Sequence, residues 1–192
     1  ATRDARKVCG DALEMRGGIG YVEEFASARL LRDAHLGSIW EGTGNIIALD
    51  AIARAVKRHH AEGALAADLH AKIQETPSAP AVFRDRLKSA VDRSIAFAQE
   101  VASKADSEAD ARRATSLMYH AASAVSMAWE GEQIAARRGD ARRFLLSRMV
   151  LDLHLSPSDP FARTPPGAEH EMAGMIFGEA SVPMETIRPV LR

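Results

Sequence analysis

The sequence has little cysteine, few aromatic residues and no long uninterrupted apolar run. Cys9 is the single cysteine among 192 residues, which excludes an internal disulfide framework and fits a reducing cytosol. The first ten residues, ATRDARKVCG, contain no apolar segment of signal-peptide length, and no later segment approaches an uncharged membrane-spanning length. We therefore expect a cytoplasmic protein with no membrane partner.

The chain also lacks a charge excess of either sign. It has 25 basic and 26 acidic side chains, a formal net charge of -1, so bulk electrostatics provides no general attraction to nucleic acid. Five arginines nevertheless form a local basic cluster that would suit either phosphate groups or a solvated helix end: Arg137, Arg138, Arg142, Arg143 and Arg148. We do not expect nucleic acid as a partner. None of the seven histidines has the i, i+4 spacing with a third ligand that zinc requires, so we predict no metal.

The apolar residues that are present recur at helical spacing, and this pattern predicts an all-α helical bundle. A first helix is predicted from Ala5 to Met15, ending at Gly17-Gly18, and a short one from Glu23 or Ser27. A further helix is predicted from Asn45 to His59. One face of that helix should hold five apolar residues: Ile46, Leu49, Ile52, Ala53 and Val56.

Beyond His60 the pattern remains helical. We predict a helix over 61–74, a proline-containing linker over 76–80, and two long antiparallel helices that follow it. A segment over 141–155 and a short helix around 172–177 complete the prediction. The first long stripe comprises Phe83, Leu87, Ala90, Val91, Ile95, Ala98 and Val101, and the second comprises Ala114, Leu117, Met118, Ala121, Val125 and Ala128. These elements suggest two parts, residues 1–60 and a helical extension over 61–192.

The stretch Gly17-Gly18-Ile19-Gly20-Tyr21 superficially resembles a phosphate-binding glycine loop. That motif requires a preceding strand and a following helix in a βαβ unit, and this context is absent here. The simpler interpretation is an interhelical turn with Tyr21 packed against it.

The turn from Ser38 to Asn45 has two interpretations. Ser38 followed three residues later by Glu41 matches a capping box, in which Glu41 only accepts from a backbone N-H. Alternatively, Glu41 beside Trp40 faces a cavity where desolvation raises its pKa and makes it a usable base. Thr43 or Asn45 would either cap the next helix or stand beside free N-H groups suited to an anion or a cofactor.

Three segments, GGIGYVEEF, RLLRDA and IWEGTGNI, occur in the order and with the short separations found in one known family. Together they resemble the carboxy-terminal domain of the acyl-CoA dehydrogenase family. The tryptophan and asparagine of IWEGTGNI look most like the branch that contains the alkylation-response (adaptive-response) acyl-CoA dehydrogenase-like proteins. The resemblance is specific over about residues 11–58.

The resemblance implies a function for particular residues. Glu41 would remove the α-proton of an acyl-CoA thioester while FAD accepts the β-hydride, and its N-H would help to bind the thioester carbonyl. Gly42 would lie against the substrate. The FAD-binding positions would be Thr43 and Asn45 at the helix start, with Glu14, Gly17 and Gly18 receiving the adenine end of FAD from a neighbouring subunit; the usual residue at the position of Glu14 is glutamine.

The same resemblance implies partners. Family members are oligomers that pass electrons to an acceptor, and they precede this region with a helical amino-terminal domain and a β-rich middle domain. The dehydrogenase chemistry is therefore assigned to the whole protein or assembly, of which this chain is expected to be a portion. The alternative is a non-catalytic helical module that retains the family's bundle for oligomerisation or nucleic-acid contact.

Overall fold

A computed structural model describes residues 2–40, 42–104, 108–157, 159, 161, 163 and 165–191, excluding the side chains of residues 2 and 3. Throughout this part of the chain the regular elements are helical, which confirms the predicted all-α class. The chain divides into two compact units, Ala1–Ala51 and Ile52–Arg192. The predicted division into residues 1–60 and 61–192 stays a prediction about where the family motifs end.

The first unit has four helices: α1 (Thr2–Met15), α2 (Gly18–Tyr21), α3 (Ala26–Leu36) and α4 (Gly44–Asp50). The first three pack against one another in pairs. The chain turns between α1 and α2 at Gly17, whose φ of 60° is accessible to glycine at low cost. Gly20 is buried, and a Cβ there would lie 2.2 Å from the Leu13 carbonyl oxygen. The close approach of α2 to α1 therefore requires glycine at position 20.

Two sequence predictions in this region are wrong in detail. Tyr21 does not pack against the glycine turn, because its side chain is exposed. Ile46 and Ala53 do not share a buried face with Ile52 and Val56, since both are exposed. The helix changes hydrogen bonding after α4: Ala51–Arg58 is π-helical, with His59 N donating to Arg54 O at 3.1 Å. Such i→i+5 bonds widen the turn, so the buried residues there are spaced by four.

The second unit contains α5 (Ala61–Gln74), α6 (Ala81–Ser103), α7 (Glu108–Arg138), α8 (Arg142–Val150), α9 (Ala168–Phe177) and α10 (Met184–Ile187), and a π-helical segment (Leu151–Leu155) follows α8. Helices α6 and α7 pack together. Near their connection the Arg113 guanidinium lies 5.2 Å from the Phe97 ring centroid. At the far end Ser78, just before α6, donates from its backbone N-H to Glu132 of α7 at 3.2 Å. These contacts confirm the predicted antiparallel pair.

The core of the second unit lies between α6, α7 and α8. Phe83 and Phe144 are fully buried and meet edge to face, with ring centroids 6.4 Å apart. The carboxy-terminal segment adds a set of buried side chains that the sequence analysis missed: Val182, Met184, Ile187 and Leu191. A backbone hydrogen bond of 2.7 Å from Ala141 N to Val182 O fixes this segment to the start of α8.

The predicted arginine cluster is largely occupied by partners from the same unit. Arg143 pairs with Glu130 at 3.1 Å, and Arg148 pairs with Asp152 at 3.0 Å. Arg142 donates to the Ala180 carbonyl at 2.7 Å. Three of the five arginines therefore have local acceptors that would compete with a phosphate. Among the described helices, none has the length and apolar character required to cross a membrane.

Candidate functional site

The first group of predicted site residues lies where α1 ends and α2 begins. Glu14, Gly17 and Gly18 are all exposed. Gly17 N donates to Glu14 O at 2.9 Å, and Gly20 N donates to Gly17 O at 2.9 Å, so the turn is held by backbone bonds. No atom outside the local chain would contact a Cβ built on Gly17 or Gly18. The turn therefore presents open backbone surface that a ligand could approach closely.

The second group lies around the start of α4. Gly42 has a φ of 97°, which an L-residue with a side chain rarely adopts. Thr43 is the N-cap residue, and its carbonyl accepts from Ile47 N at 3.1 Å, but its side chain makes no capping hydrogen bond. Asn45 follows in the first turn of α4. The predicted base, Glu41, lies outside the described residues.

The capping-box interpretation of Ser38 is wrong. The Ser38 hydroxyl donates to the His35 carbonyl at 2.9 Å, in the turn that follows α3. The next helix begins only at Gly44 with Thr43 as its N-cap, so Ser38 is five residues too early to cap it. A serine that satisfies a carbonyl at a helix carboxyl end is not available to a later helix start.

The described residues form two separate groups in the first unit. One group, Gly42, Thr43 and Asn45, lies at the start of α4. The other group, Glu14, Gly17 and Gly18, lies where α1 ends and α2 begins. The extensive helix–helix contacts of this unit are formed by α1, α2 and α3.

Near the first group, an ion pair links the segment after α2 to α3. The Arg32 guanidinium donates to both Glu23 oxygens, at 2.6 and 3.1 Å. This hydrogen bonding lowers the pKa of Glu23 below its ordinary value of 4.5 and raises the pKa of Arg32. Both groups are exposed, so the pair fixes the direction of the chain and adds little stability. In the described part of the chain, no three potential ligands cluster as a metal site would require.

The first unit exposes many large apolar side chains, a feature that sequence periodicity did not reveal. Trp40 is 70% exposed and Met15 is 89% exposed. The others are Val8, Ile19, Tyr21, Val22, Phe25, Leu30, Leu36, Ile39, Ile46 and Ile47. Apolar surface on this scale is typical of a contact surface.

Comparison with known proteins identifies the first part of the chain. The family model "Acyl-CoA dehydrogenase, C-terminal domain" matches residues 1–57. The chain is similar to the putative acyl-CoA dehydrogenase AidB of Escherichia coli (strain K12), with 52% identity over 42 residues, 22% of this chain and 8% of AidB. The butyryl-CoA dehydrogenase of Syntrophomonas wolfei is 42% identical over 43 residues, 22% of this chain and 7% of that protein.

A third relative extends the comparison slightly. The probable short/branched chain specific acyl-CoA dehydrogenase of Dictyostelium discoideum is 36% identical over 58 residues, 30% of this chain and 14% of that protein. The chain thus matches only a small part of the length of these curated relatives. No solved structure matches it. Over residues 1–57 the chain is similar to the C-terminal domain of the acyl-CoA dehydrogenase family.

Proposed function

We propose that residues 1–60 contribute to the thioester and flavin site of an acyl-CoA dehydrogenase, which oxidises an acyl-CoA at its α,β-carbons. The observation that carries the proposal is the turn before α4, where Gly42 adopts a φ of 97° inside the sequence Trp40-Glu41-Gly42-Thr43. This turn lies within the matched residues 1–57. Gly42, whose positive φ glycine adopts at low cost, directly follows the residue to which the family resemblance assigns the chemistry.

Glu41 is the proposed base for the α-proton. A carboxylate performs this task best when its pKa is close to the working pH, which partial desolvation beside an aromatic residue such as Trp40 would favour. The N-H of Glu41 would donate to the thioester carbonyl and stabilise the negative charge that develops there. The Ser38 hydroxyl is bonded to His35 O, which removes the capping-box alternative for this turn.

The residues after Glu41 fit a bound flavin. The Thr43 side chain makes no capping hydrogen bond, so its hydroxyl would be able to donate to an acceptor on the cofactor. The open turn at Gly17 and Gly18 allows close approach of an adenosine group. FAD, when bound, supplies the acceptor for the β-hydride. A glutamate at position 14 accepts hydrogen bonds but lacks the amide donors of glutamine.

The exposed apolar side chains of the first unit support an assembly. Burial of apolar surface stabilises by about 25 cal/mol per Å², so side chains as exposed as Trp40 and Met15 gain from a partner surface. We propose that this surface packs against the other dehydrogenase domains or a second subunit in a cytoplasmic homo-oligomer. Electrons would leave the flavin to a separate acceptor.

The test compares the assembled protein that contains this chain with its Glu41→Gln variant. A flavin absorption band should be present in both proteins, and anaerobic addition of butyryl-CoA should bleach it in the unmodified protein. The variant should keep the band but bleach at least about 10²-fold more slowly, as expected when a general base is removed. Equal bleaching rates would exclude Glu41 as the base.

A second candidate is a non-catalytic helical module. It is favoured by one observation: residues 58–192 lie outside the family match, while the second unit has its own buried core. An assembled protein with native helical content, no flavin band after addition of FAD, and a defined oligomeric mass would support the module and contradict the dehydrogenase.

A further inference from the structure

Two adjoining cavities lie along the outer face of α6 in the second unit. The first, of about 340 Å³, lies between α6 and α7. The second, of about 390 Å³, lies between α6 and the π-helical segment after α8. Ala90, Arg93 and Leu155 line both cavities, so the two form one groove with Arg93 at its middle. Each half is within the size range of small-molecule sites.

A buried hydroxyl lines the first cavity. Ser94 is only 3% exposed, and its hydroxyl makes no hydrogen bond to any residue that the structure describes. Helical hydroxyls in the same unit normally bond to the preceding turn, as Ser123 does to Tyr119 O at 2.8 Å. Ser94 therefore has an unused donor on the wall of a ligand-sized cavity.

The charge of the first cavity is positive. Among the described residues Arg93 has no ion-pair partner, and the Arg113 guanidinium lies over the Phe97 ring, 5.2 Å from its centroid. The acidic residue of the lining, Glu100, is already bound by the Lys104 ammonium group. The two guanidinium groups are thus available to an anion. A carboxylate suits them because the planar fork of arginine matches its two oxygens.

The remaining walls favour an apolar tail and a single charge. Phe97 and Leu117 line the first cavity, while Val82 and Leu151 line the second. Asp85 and Arg86 also line the second cavity. The Arg86 guanidinium is held by Asp152, and Asp85 would repel a negative group at the far end of a ligand. We propose that this groove binds an apolar monocarboxylate, with its carboxylate at Ser94 Oγ, Arg93 and Arg113 and its tail passing Leu155 into the second cavity. This site is independent of the proposed dehydrogenase site.

The test is calorimetric titration of the full chain with octanoate. Octanol, which keeps the tail without the charge, and acetate, which keeps the charge without the tail, should each bind at least about tenfold more weakly. Arg93→Gln should weaken octanoate binding about tenfold or more, the usual cost of losing a hydrogen bond to a charged group. The matched control Lys88→Gln removes one positive charge from the same helix outside the groove, and it should bind octanoate normally.

Ser94→Ala separates a ligand donor from a structural hydroxyl. Because the hydroxyl has no partner in the described chain, its removal should leave the thermal midpoint unchanged or raised while octanoate binding weakens severalfold. A lowered midpoint with unchanged binding would overturn the proposal. It would also be overturned by equal losses in Arg93→Gln and Lys88→Gln, by octanol binding as tightly as octanoate, or by no octanoate binding at millimolar concentration.

Discussion

Gly131→Ala is expected to destabilise the second unit although it replaces a glycine inside a helix. Gly131 lies on α7 where α8 approaches closely. A Cβ at this position would lie 3.0 Å from Phe144 Cδ2 and 3.2 Å from Arg143 Cβ. The Phe144 ring is fully buried and packed edge-on against Phe83, so it has no free space into which to move.

Two opposing terms decide the sign. Alanine in place of glycine in a helix interior stabilises by about 0.5–1 kcal/mol, whereas overpacking a filled core costs about 1–3 kcal/mol. The steric term is larger, so the free energy of unfolding should fall by about 1 kcal/mol. For a unit of this size the midpoint temperature should fall by about 3–4 °C.

The measurement is thermal and urea unfolding followed by far-ultraviolet circular dichroism. Gly63→Ala is the matched control, because Gly63 lies in α5 of the same unit, is exposed, and a Cβ there would meet no atom within 4 Å. The control should be neutral or stabilising by up to about 0.5 kcal/mol, since its position near the helix start reduces the propensity gain. If Gly131→Ala raised the midpoint as much as Gly63→Ala, the close approach of α7 and α8 would be refuted.

Three further predictions concern the turn before α4, a buried hydroxyl and an exposed ion pair. Gly42→Ala should cost about 1–3 kcal/mol of local stability, because the φ of Gly42 is 97°, and amide hydrogen exchange in the first turn of α4 should accelerate. The control Gly44→Ala should leave hydrogen exchange unchanged, because a Cβ at position 44 would meet no atom within 4 Å. Ser147→Ala should lower the free energy of unfolding in urea by about 1 kcal/mol, because the buried Ser147 hydroxyl donates to Ala124 O at 2.6 Å; an unchanged value would contradict this. Glu23→Gln should slightly lower the thermal midpoint at neutral pH. The paired guanidinium lowers the folded-state pKa of Glu23 from its ordinary value of 4.5, so the difference in midpoint should disappear as the pH falls below 4.5 and Glu23 is protonated. A difference that persisted in acid would argue against the ion pair.

The long helices were predictable because helix formation is encoded locally. The predicted helix over 61–74 coincides with α5, and the stripe that begins with Phe83 and Leu87 is buried in α6. Apolar residues spaced by three or four can be buried together only on a helix, so such a pattern has one structural solution. The linker over 76–80 was equally evident, because its two prolines cannot continue a helix.

The carboxy-terminal segment was not predictable in the same way. Met184, Ile187 and Leu191 have helical spacing, but they lie in a short stretch interrupted by Pro183 and Pro189, too short to predict burial by itself. They enter the core because the chain returns to the start of α8, where Ala141 N bonds to Val182 O. A contact between distant segments leaves no periodic trace in the sequence.

For the candidate site, the sequence by itself determined the identity of the residues and the need for glycine. The turn at Gly17 and the positive φ of Gly42 follow from local sterics, since other residues avoid these backbone angles. Only the folded structure decided that the Ser38 hydroxyl bonds back to the end of α3 and not forward to the next helix. The physical reason is that one hydroxyl can satisfy either neighbouring helix end, and only the three-dimensional path of the chain selects between them.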